Sequence, residues 1–185
     1  MRGERERADF ERLMLPHLQA AYGLARWLMR HPQDAEDSVQ DAYLKAYEAF
    51  RGYAGGDSAC WLLAIVRNTC LTRLKRRGGK GKIVRLNEAM SAPEARTPVS
   101  QYVSPPDEAA LRTEARDRVR AALFELPLNF REVIVLREFA ELSYAQLAQV
   151  TGIPIGTVMS RISRGREMLR ELLAEDDACG QRPGM

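Results

Sequence analysis

Residues 141–170 read ELSYAQLAQVTGIPIGTVMSRISRGREMLR and hold two helical patterns with almost no loop between them. Ser143 and Gln146 form an S-x-x-Q capping box that predicts the start of the first helix. Gly152 turns the chain after that helix, and Pro154 suits the first turn of the second. Two helices joined this tightly, with the second carrying several arginines, predict a helix-turn-helix.

The second helix has one apolar and one polar side when it is drawn at 3.6 residues per turn. Short hydroxyl side chains allow a close approach to a groove, and arginine can bind phosphate or guanine. The other interpretation is an ordinary amphipathic helix with a solvated basic face. Because the capping box, the glycine turn and the arginines occur together, we predict that this helix contacts DNA. The apolar stripe comprises Val158, Ile162, Gly165 and Leu169, and the opposite side holds Gly156, Thr157, Ser160, Ser163, Arg164 and Glu167.

The rest of the chain also shows helical periodicity, without a convincing run of period-two alternation. Hydrophobic residues make up 45% of the 185, which is enough for a core. We therefore predict an all-α protein of two small helical domains, joined by a flexible linker rich in proline and small polar residues. The predicted units are a first domain at 1–80, the linker at 81–106, a helix-turn-helix domain at 107–175 and a frayed tail at 176–185. The predicted helices before the helix-turn-helix are 9–29 with a kink at Pro16, 34–51 capped by Asp34, 59–77, 107–125, and 129–138 capped by Asn129.

Several functional classes lack their usual signatures. The cysteines are odd in number and widely spaced, which argues against a disulfide framework, and two of them fit small core positions. No cysteine or histidine pair has the close spacing of a structural zinc site, so we expect no metal or other cofactor. Neither a nucleophile with a base nor a Walker phosphate loop is visible, so an enzyme is not expected. The charged start lacks an apolar segment, and no run has the length of a membrane span, so we expect a cytoplasmic protein. The cysteines are Cys60, Cys70 and Cys179.

Three further stretches resemble the two conserved domains of a bacterial sigma factor. Residues 34–50, DAEDSVQDAYLKAYEAF, and 61–77, WLLAIVRNTCLTRLKRR, are similar to that family's core domain. Residues 125–169, ELPLNFREVIVLREFAELSYAQLAQVTGIPIGTVMSRISRGREML, are similar to its promoter-reading C-terminal domain. Order, spacing and size are those of the short extracytoplasmic-function (ECF) type, and the resemblance covers nearly the whole chain.

The resemblance implies that the acidic second predicted helix binds the clamp helices of the RNA polymerase β′ subunit. An exposed acidic surface repels DNA and attracts a protein partner. The other interpretation is that these are acids favoured near a helix N-terminus, and Asp34 in particular fits it. The expected polymerase-binding residues are Asp34, Glu36, Asp37, Gln40 and Asp41.

The resemblance also implies that the first domain captures the melted non-template strand of the −10 element. Flipping a base out of the stack costs a few kcal/mol, which stacking and hydrogen bonds must offset. A basic run from Arg73 to Arg85 would suit the nucleic-acid backbone, although cations at a helix end are also favoured by its dipole. Trp61 fits a core position as well as a stacking platform, and Asn68 fits a buried polar group. The candidates are Tyr53, Trp61, Arg67, Asn68, Arg73 and Arg76.

For the last helix, the resemblance implies readout of the −35 element as duplex in the major groove. The expected base-side residues are Ser160, Ser163 and Arg164, with Thr157, Arg161 and Arg166 nearer phosphates. The chain departs from the family at two positions. Family members often have a basic residue where this chain has Met159, and an aspartate where it has Thr72. The implied partners are core RNA polymerase through its β′ clamp helices and β flap, promoter DNA, and an anti-sigma factor that could hold the protein at the inner membrane face. No small-molecule substrate is expected.

A conventional helix-turn-helix repressor or activator is the main alternative function. It would be a dimer that binds duplex DNA unaided, and it leaves residues 34–77 unexplained. The linker suits two DNA-reading domains, because about 25 extended residues can reach roughly 80 Å.

Overall fold

The computed structural model describes residues 2–77 and 106–180, and side-chain surroundings within 3–76 and 115–174. These ranges form eight α-helices and no strand, which confirms the all-α class. The predicted linker up to residue 105 and the last five residues lie outside the described residues, whereas residue 106, predicted as linker, begins a helix. The helices are α1 Arg2–Met14, α2 Leu18–Leu28, α3 Pro32–Ala49, α4 Ser58–Arg77, α5 Pro106–Glu125, α6 Leu128–Glu138, α7 Tyr144–Thr151 and α8 Ile155–Gly180.

Proline decides where several of these helices begin or break. The predicted kink is a turn of 3-10 helix at Leu15–His17, because Pro16 cannot donate to the preceding carbonyl. Helix α3 begins at Pro32 rather than being capped by Asp34, which lies inside the first turn and is buried. Likewise α6 follows Pro127 and is not capped by Asn129. In both cases the fixed φ of proline sets the helix start, so the predicted side-chain caps were wrong.

The helix-turn-helix has the predicted geometry. The Ser143 hydroxyl accepts a hydrogen bond from the Gln146 amide at 3.3 Å, and the Gln146 side chain accepts one from the Ser143 amide at 2.8 Å. Gly152 ends α7 in the left-handed region, with φ 71°. Helix α8 continues to Gly180, so the predicted tail starts as helix rather than as a frayed end. Local signals therefore predicted this motif except for the length of its last helix.

The apolar stripe of α8 packs onto α6. Val158, Ile162 and Gly165 are buried. A Cβ atom on Gly165 would lie 2.7 Å from Ile134 Cδ1 and 3.2 Å from Phe130 Cβ. Glycine therefore lets the two helices approach closely, and the contact fixes which side of α8 faces outward.

Buried side chains of the two halves form one continuous cluster, in which α2 packs against α6 and α4 against α7. The Trp27 ring lies 4.7 Å from that of Phe139, between ring centroids. Across the same boundary, the Gln146 side-chain amide donates to Asp57 at 2.7 Å. The described halves are thus held face to face. Among the described residues, no helix is both long enough and apolar enough to cross a membrane.

Candidate nucleic-acid and partner interfaces

The outer side of α8 presents the predicted base-side residues to solvent. Ser160, Ser163 and Arg164 are exposed, and Thr157 is partly buried. The Ser160 hydroxyl donates to the Thr157 carbonyl at 3.0 Å, which keeps it close to the helix. Because the opposite side is fixed against α6, this row is held at a constant orientation. The structure therefore brings the predicted residues together on one accessible face.

Arg161 and Arg166, predicted to lie nearer phosphates, each pair with a glutamate of α6. Arg166 donates to Glu138 at 2.6 Å, and this hydrogen bond holds the pKa of the guanidinium above its ordinary value. Arg161 lies 3.4 Å from Glu132. Both arginines flank the outer row, but in this arrangement their charges are balanced by carboxylates of their own chain.

Glu132 also binds Arg67, the residue predicted to meet the −10 strand. Arg67 donates from Nε and Nη2 to the two carboxylate oxygens at 2.8 and 3.0 Å. The Glu132 side chain is only 3% exposed. A single carboxylate therefore connects an arginine of the first half to one of the last helix, Arg161. Sequence reasoning missed Glu132, although a lone acid followed by the apolar run 133–136 is a signal of a paired buried charge.

The neighbouring Arg131 has a structural role. It donates to the carbonyl oxygens of Phe124 and Leu126 at 2.8 and 3.0 Å, and its guanidinium lies 4.9 Å from the Phe124 ring centroid. Burial lowers its pKa to about 10. These bonds satisfy carbonyls at the end of α5 and fasten α5 to α6.

The acidic stretch of α3 and the basic end of α4 meet. Arg73 donates to Asp37 at 2.9 Å and to Asp41 at 3.2 Å, and its Nη1 lies 4.0 Å from Asp34. The hydrogen bond to Asp37 raises the Arg73 pKa. Asp34 is buried, so it does not share the exposed surface expected of the polymerase-binding residues. Residues predicted to bind polymerase and a residue predicted to bind DNA thus neutralise one another here.

One of the remaining acidic-helix candidates, Gln40, lines an apolar groove. Glu36, Gln40 and Asp41 are exposed. Gln40 also lines a groove of about 630 Å³ between α1 and α3, whose walls include the exposed Leu44 and Tyr47. Sequence reasoning did not single out this apolar patch. A mixed surface of this kind is typical of a protein-binding site.

The aromatic candidates for the −10 strand form a stack at the start of α4. The Tyr53 ring lies 5.8 Å from Phe50 in a stacked arrangement and 5.1 Å from the tilted Trp61 ring. The Tyr53 hydroxyl donates to the Gly56 carbonyl at 2.8 Å. Tyr53 and Trp61 are both partly buried and pack against the core. The part of each side chain that stays accessible is the surface open to a flat ligand.

The last two −10 candidates lie along the outer side of α4. Asn68 is exposed and accepts a hydrogen bond from Arg67 at 3.2 Å, so the buried interpretation of Asn68 was wrong. Arg76 is exposed one residue before the helix ends at Arg77. The other basic residues of the predicted run, beyond Arg77, lie outside the described residues.

Two family models match this chain. The model for sigma-70 region 2 matches residues 13–79, and the model for sigma-70 region 4 matches residues 116–169. The first match spans α2, α3 and α4, and the second spans the helix-turn-helix. Both predicted domains therefore correspond to known sigma-factor regions.

Curated relatives agree with the family models. The chain is 33% identical to the RNA polymerase sigma-H factor of Pseudomonas aeruginosa, over 91% of this chain and 88% of that protein. It is 30% identical to the ECF RNA polymerase sigma factor SigW of Bacillus subtilis, over 83% of each. It is 32% identical to the ECF RNA polymerase sigma factor SigE of Mycolicibacterium smegmatis, over 90% of this chain but 62% of that longer protein.

A solved structure has the same fold at similar sequence distance. It is the sigma factor RpoE of Bartonella quintana in complex with the anti-sigma factor NepR, with 30% identity and a TM-score of 0.70. The match covers 90% of this chain and 97% of that one, so both halves take part. The chain belongs to the ECF RNA polymerase sigma factors.

Proposed function

We propose that this chain binds core RNA polymerase and directs it to promoters, with α8 reading the −35 element as duplex and the first half holding the melted non-template strand of the −10 element. In this proposal residues 1–80 and 107–175 act as two domains, joined by 81–106. One observation gives this proposal its main support. The outer side of α8 presents Ser160, Ser163 and Arg164 in one row, while its inner side is fixed against α6.

The surface of α3 supports a polymerase-binding role. Exposed Gln40 lines the apolar groove beside the exposed Leu44, and exposed Asp41 follows Gln40 in the chain. Apolar anchors supply most of the affinity of a protein interface, and flanking charges supply orientation and rate. We assign this mixed surface to the β′ clamp helices.

The aromatic stack supports capture of single-stranded DNA. Bases stack on exposed aromatic rings with about 1–3 kcal/mol each, whatever their identity. Tyr53 and Trp61 supply two partly buried aromatic rings, and Asn68 and Arg76 supply exposed polar groups further along α4. Stacking of this size offsets the cost of removing a base from the duplex.

The arrangement of the two halves supports control by an anti-sigma factor. Arg67 of the first half pairs with Glu132 of the second, so Arg67 cannot bind DNA fully until the halves separate. A sigma factor solved with its anti-sigma factor has a similar arrangement over both halves. We call the arrangement in which the two halves are packed together the closed form, and one in which they are separated the open form. We infer that a partner of this kind stabilises the closed form and that polymerase stabilises the open form.

Binding of the purified protein to bacterial core RNA polymerase tests the proposal, with duplex DNA binding measured alongside. We expect nanomolar affinity for core and weak affinity for duplex alone. Changing Asp37→Lys and Asp41→Lys together should lower core affinity by more than about tenfold, since two attractive contacts become repulsive. The matched control reverses two exposed acids of the second half, Asp117→Lys and Glu171→Lys, and should bind normally.

A different result would identify a conventional transcription regulator. That result is no affinity for core, together with tight, salt-dependent binding of a dimer to duplex DNA.

A further inference from the structure

Two large apolar side chains stand in solvent on the first two turns of α8. Ile155 is 49% exposed and Met159 is 53% exposed. They are four residues apart and therefore lie one above the other on the helix surface. Ser163 continues the same row, and Ser160 lies beside it. The exposed apolar pair is thus part of the face that the proposed function turns toward the −35 element.

The packing of α8 does not explain this pair. Val158, Ile162 and Gly165 supply the inner side of the helix, and they lie on the stripe away from Ser160. Apolar surface exposed to water does not stabilise the fold. When a ligand covers the same surface, binding is favoured by roughly 25 cal/mol per Å² of buried apolar area. Met159 has Ile155 one turn before it and Ser160 and Ser163 on its outward side, so a ligand that covers this face has to be apolar at Met159 and polar beside it.

The major groove offers one apolar group of that description. Among the four base pairs, only those with thymine carry a methyl group on the groove edge, next to hydrogen-bonding atoms. Methionine suits such a contact, because its unbranched, polarizable side chain adapts to an irregular surface. Hydroxyl and guanidinium groups of Ser160, Ser163 and Arg164 would meet the polar edges nearby.

We propose that Met159 contacts a thymine methyl group in the −35 element and so determines one base of the promoters that this chain selects. The inference rests on the proposed function and deepens it, because it assigns a specific base preference to one side chain.

The test starts from holoenzyme assembled from the whole chain and core polymerase, which selects its −35 sequence from a duplex library randomised at that element. Each thymine of the selected sequence is then replaced singly by deoxyuridine, which removes only the methyl group. At one position, binding should fall about fourfold, the factor expected for one buried methyl group. Met159→Gln, of similar length but polar, should bind both duplexes equally. Met159→Leu, also apolar, should keep the difference.

The outcomes separate the inference from the proposed function. A holoenzyme that selects no −35 sequence would contradict the proposed function itself. A holoenzyme that selects a sequence without thymine, or one whose deoxyuridine forms bind equally well, would overturn the role of Met159 alone. So would a methyl dependence that Met159→Gln leaves unchanged. Met159 is exposed, so both variants should fold, and equal melting temperatures of the three proteins check this.

Discussion

Arg67 and Glu132 form a bidentate ion pair between the two halves of the molecule, with N–O distances of 2.8 and 3.0 Å. They are 65 residues apart in the chain, and the Glu132 side chain is almost completely buried. A guanidinium whose Nε and Nη2 groups donate to a carboxylate cannot offer that same pair of donors to a phosphate or a base. The pair therefore marks the closed form as one that cannot hold the −10 strand through Arg67.

Replacing Glu132 by Gln should loosen the closed form. Breaking a buried ion pair by removing one partner typically costs about 3–5 kcal/mol. Trp27 packs on Phe139 across the same boundary, so its emission should shift to longer wavelength as water reaches it. The measurement uses a Trp61→Phe background, in which Trp27 is the remaining tryptophan.

The control for this experiment is Glu138→Gln. Glu138 pairs with Arg166 within the second half, and both side chains are about half exposed. Exposed pairs contribute about 0–1 kcal/mol, so the emission should not change. Equal spectra for Glu132→Gln and the control would show that the ion pair does not hold the halves together.

Replacing Arg73 by Gln should affect the two proposed partners in opposite directions. Asp37 and Asp41 lose a cation that balances them, so core polymerase affinity should rise severalfold. Melting of the −10 element should weaken, because the predicted contact of Arg73 with the DNA backbone would be lost. Core affinity by fluorescence anisotropy and melting by permanganate footprinting measure the two effects. A parallel loss of both would mean that Arg73 mainly supports the fold.

Alanine at Gly165 should be less well tolerated than alanine at Gly156. Both glycines lie in α8, but an added Cβ meets nothing within 4 Å at Gly156, whereas at Gly165 it would crowd Ile134 and Phe130. Overpacking typically costs about 1–3 kcal/mol, more than the helix propensity that alanine adds. The free energy of unfolding, measured in urea, should therefore be lower for Gly165→Ala than for Gly156→Ala. The reverse order would mean that α6 and α8 separate easily.

Alkaline pH should weaken the first half through its buried thiols. Burial raises the pKa of Cys60 to about 12 and that of Cys70 to about 11, from an ordinary value of 9.0. Above pH 9 the unfolded chain loses these protons while the folded chain keeps them, so the free energy of unfolding falls as pH rises toward 11–12. Urea unfolding at pH 8 and pH 10 measures the fall, and Cys60→Ala should reduce it. If the free energy of unfolding of Cys60→Ala falls between pH 8 and pH 10 as much as that of the wild type, groups other than Cys60 cause the fall.

Local sequence signals predicted the helix-turn-helix, because Ser143, Gln146 and Gly152 act on neighbours within a few residues. The side-chain caps at Asp34 and Asn129 were predicted wrongly, since a proline shortly before each had already fixed the helix start. Local signals could not predict ion pairs between residues that are far apart in the chain. Nothing adjacent to Glu132 indicates that its partner is Arg67, because that contact depends on how α4 and α6 pack.

The acidic face of α3 has a consequence for how the two proposed ligands influence each other. Asp37 and Asp41 are spaced by about 6 Å of helix rise and hold Arg73 as two phosphates would. A partner that binds these carboxylates frees the Arg73 guanidinium to bind DNA. Conversely, DNA that binds the guanidinium frees the carboxylates to bind the partner. The binding free energies are then coupled, and by thermodynamic reciprocity each ligand strengthens the other by the same factor. The chain would in this way carry an internal DNA mimic, from which polymerase has to displace Arg73 first.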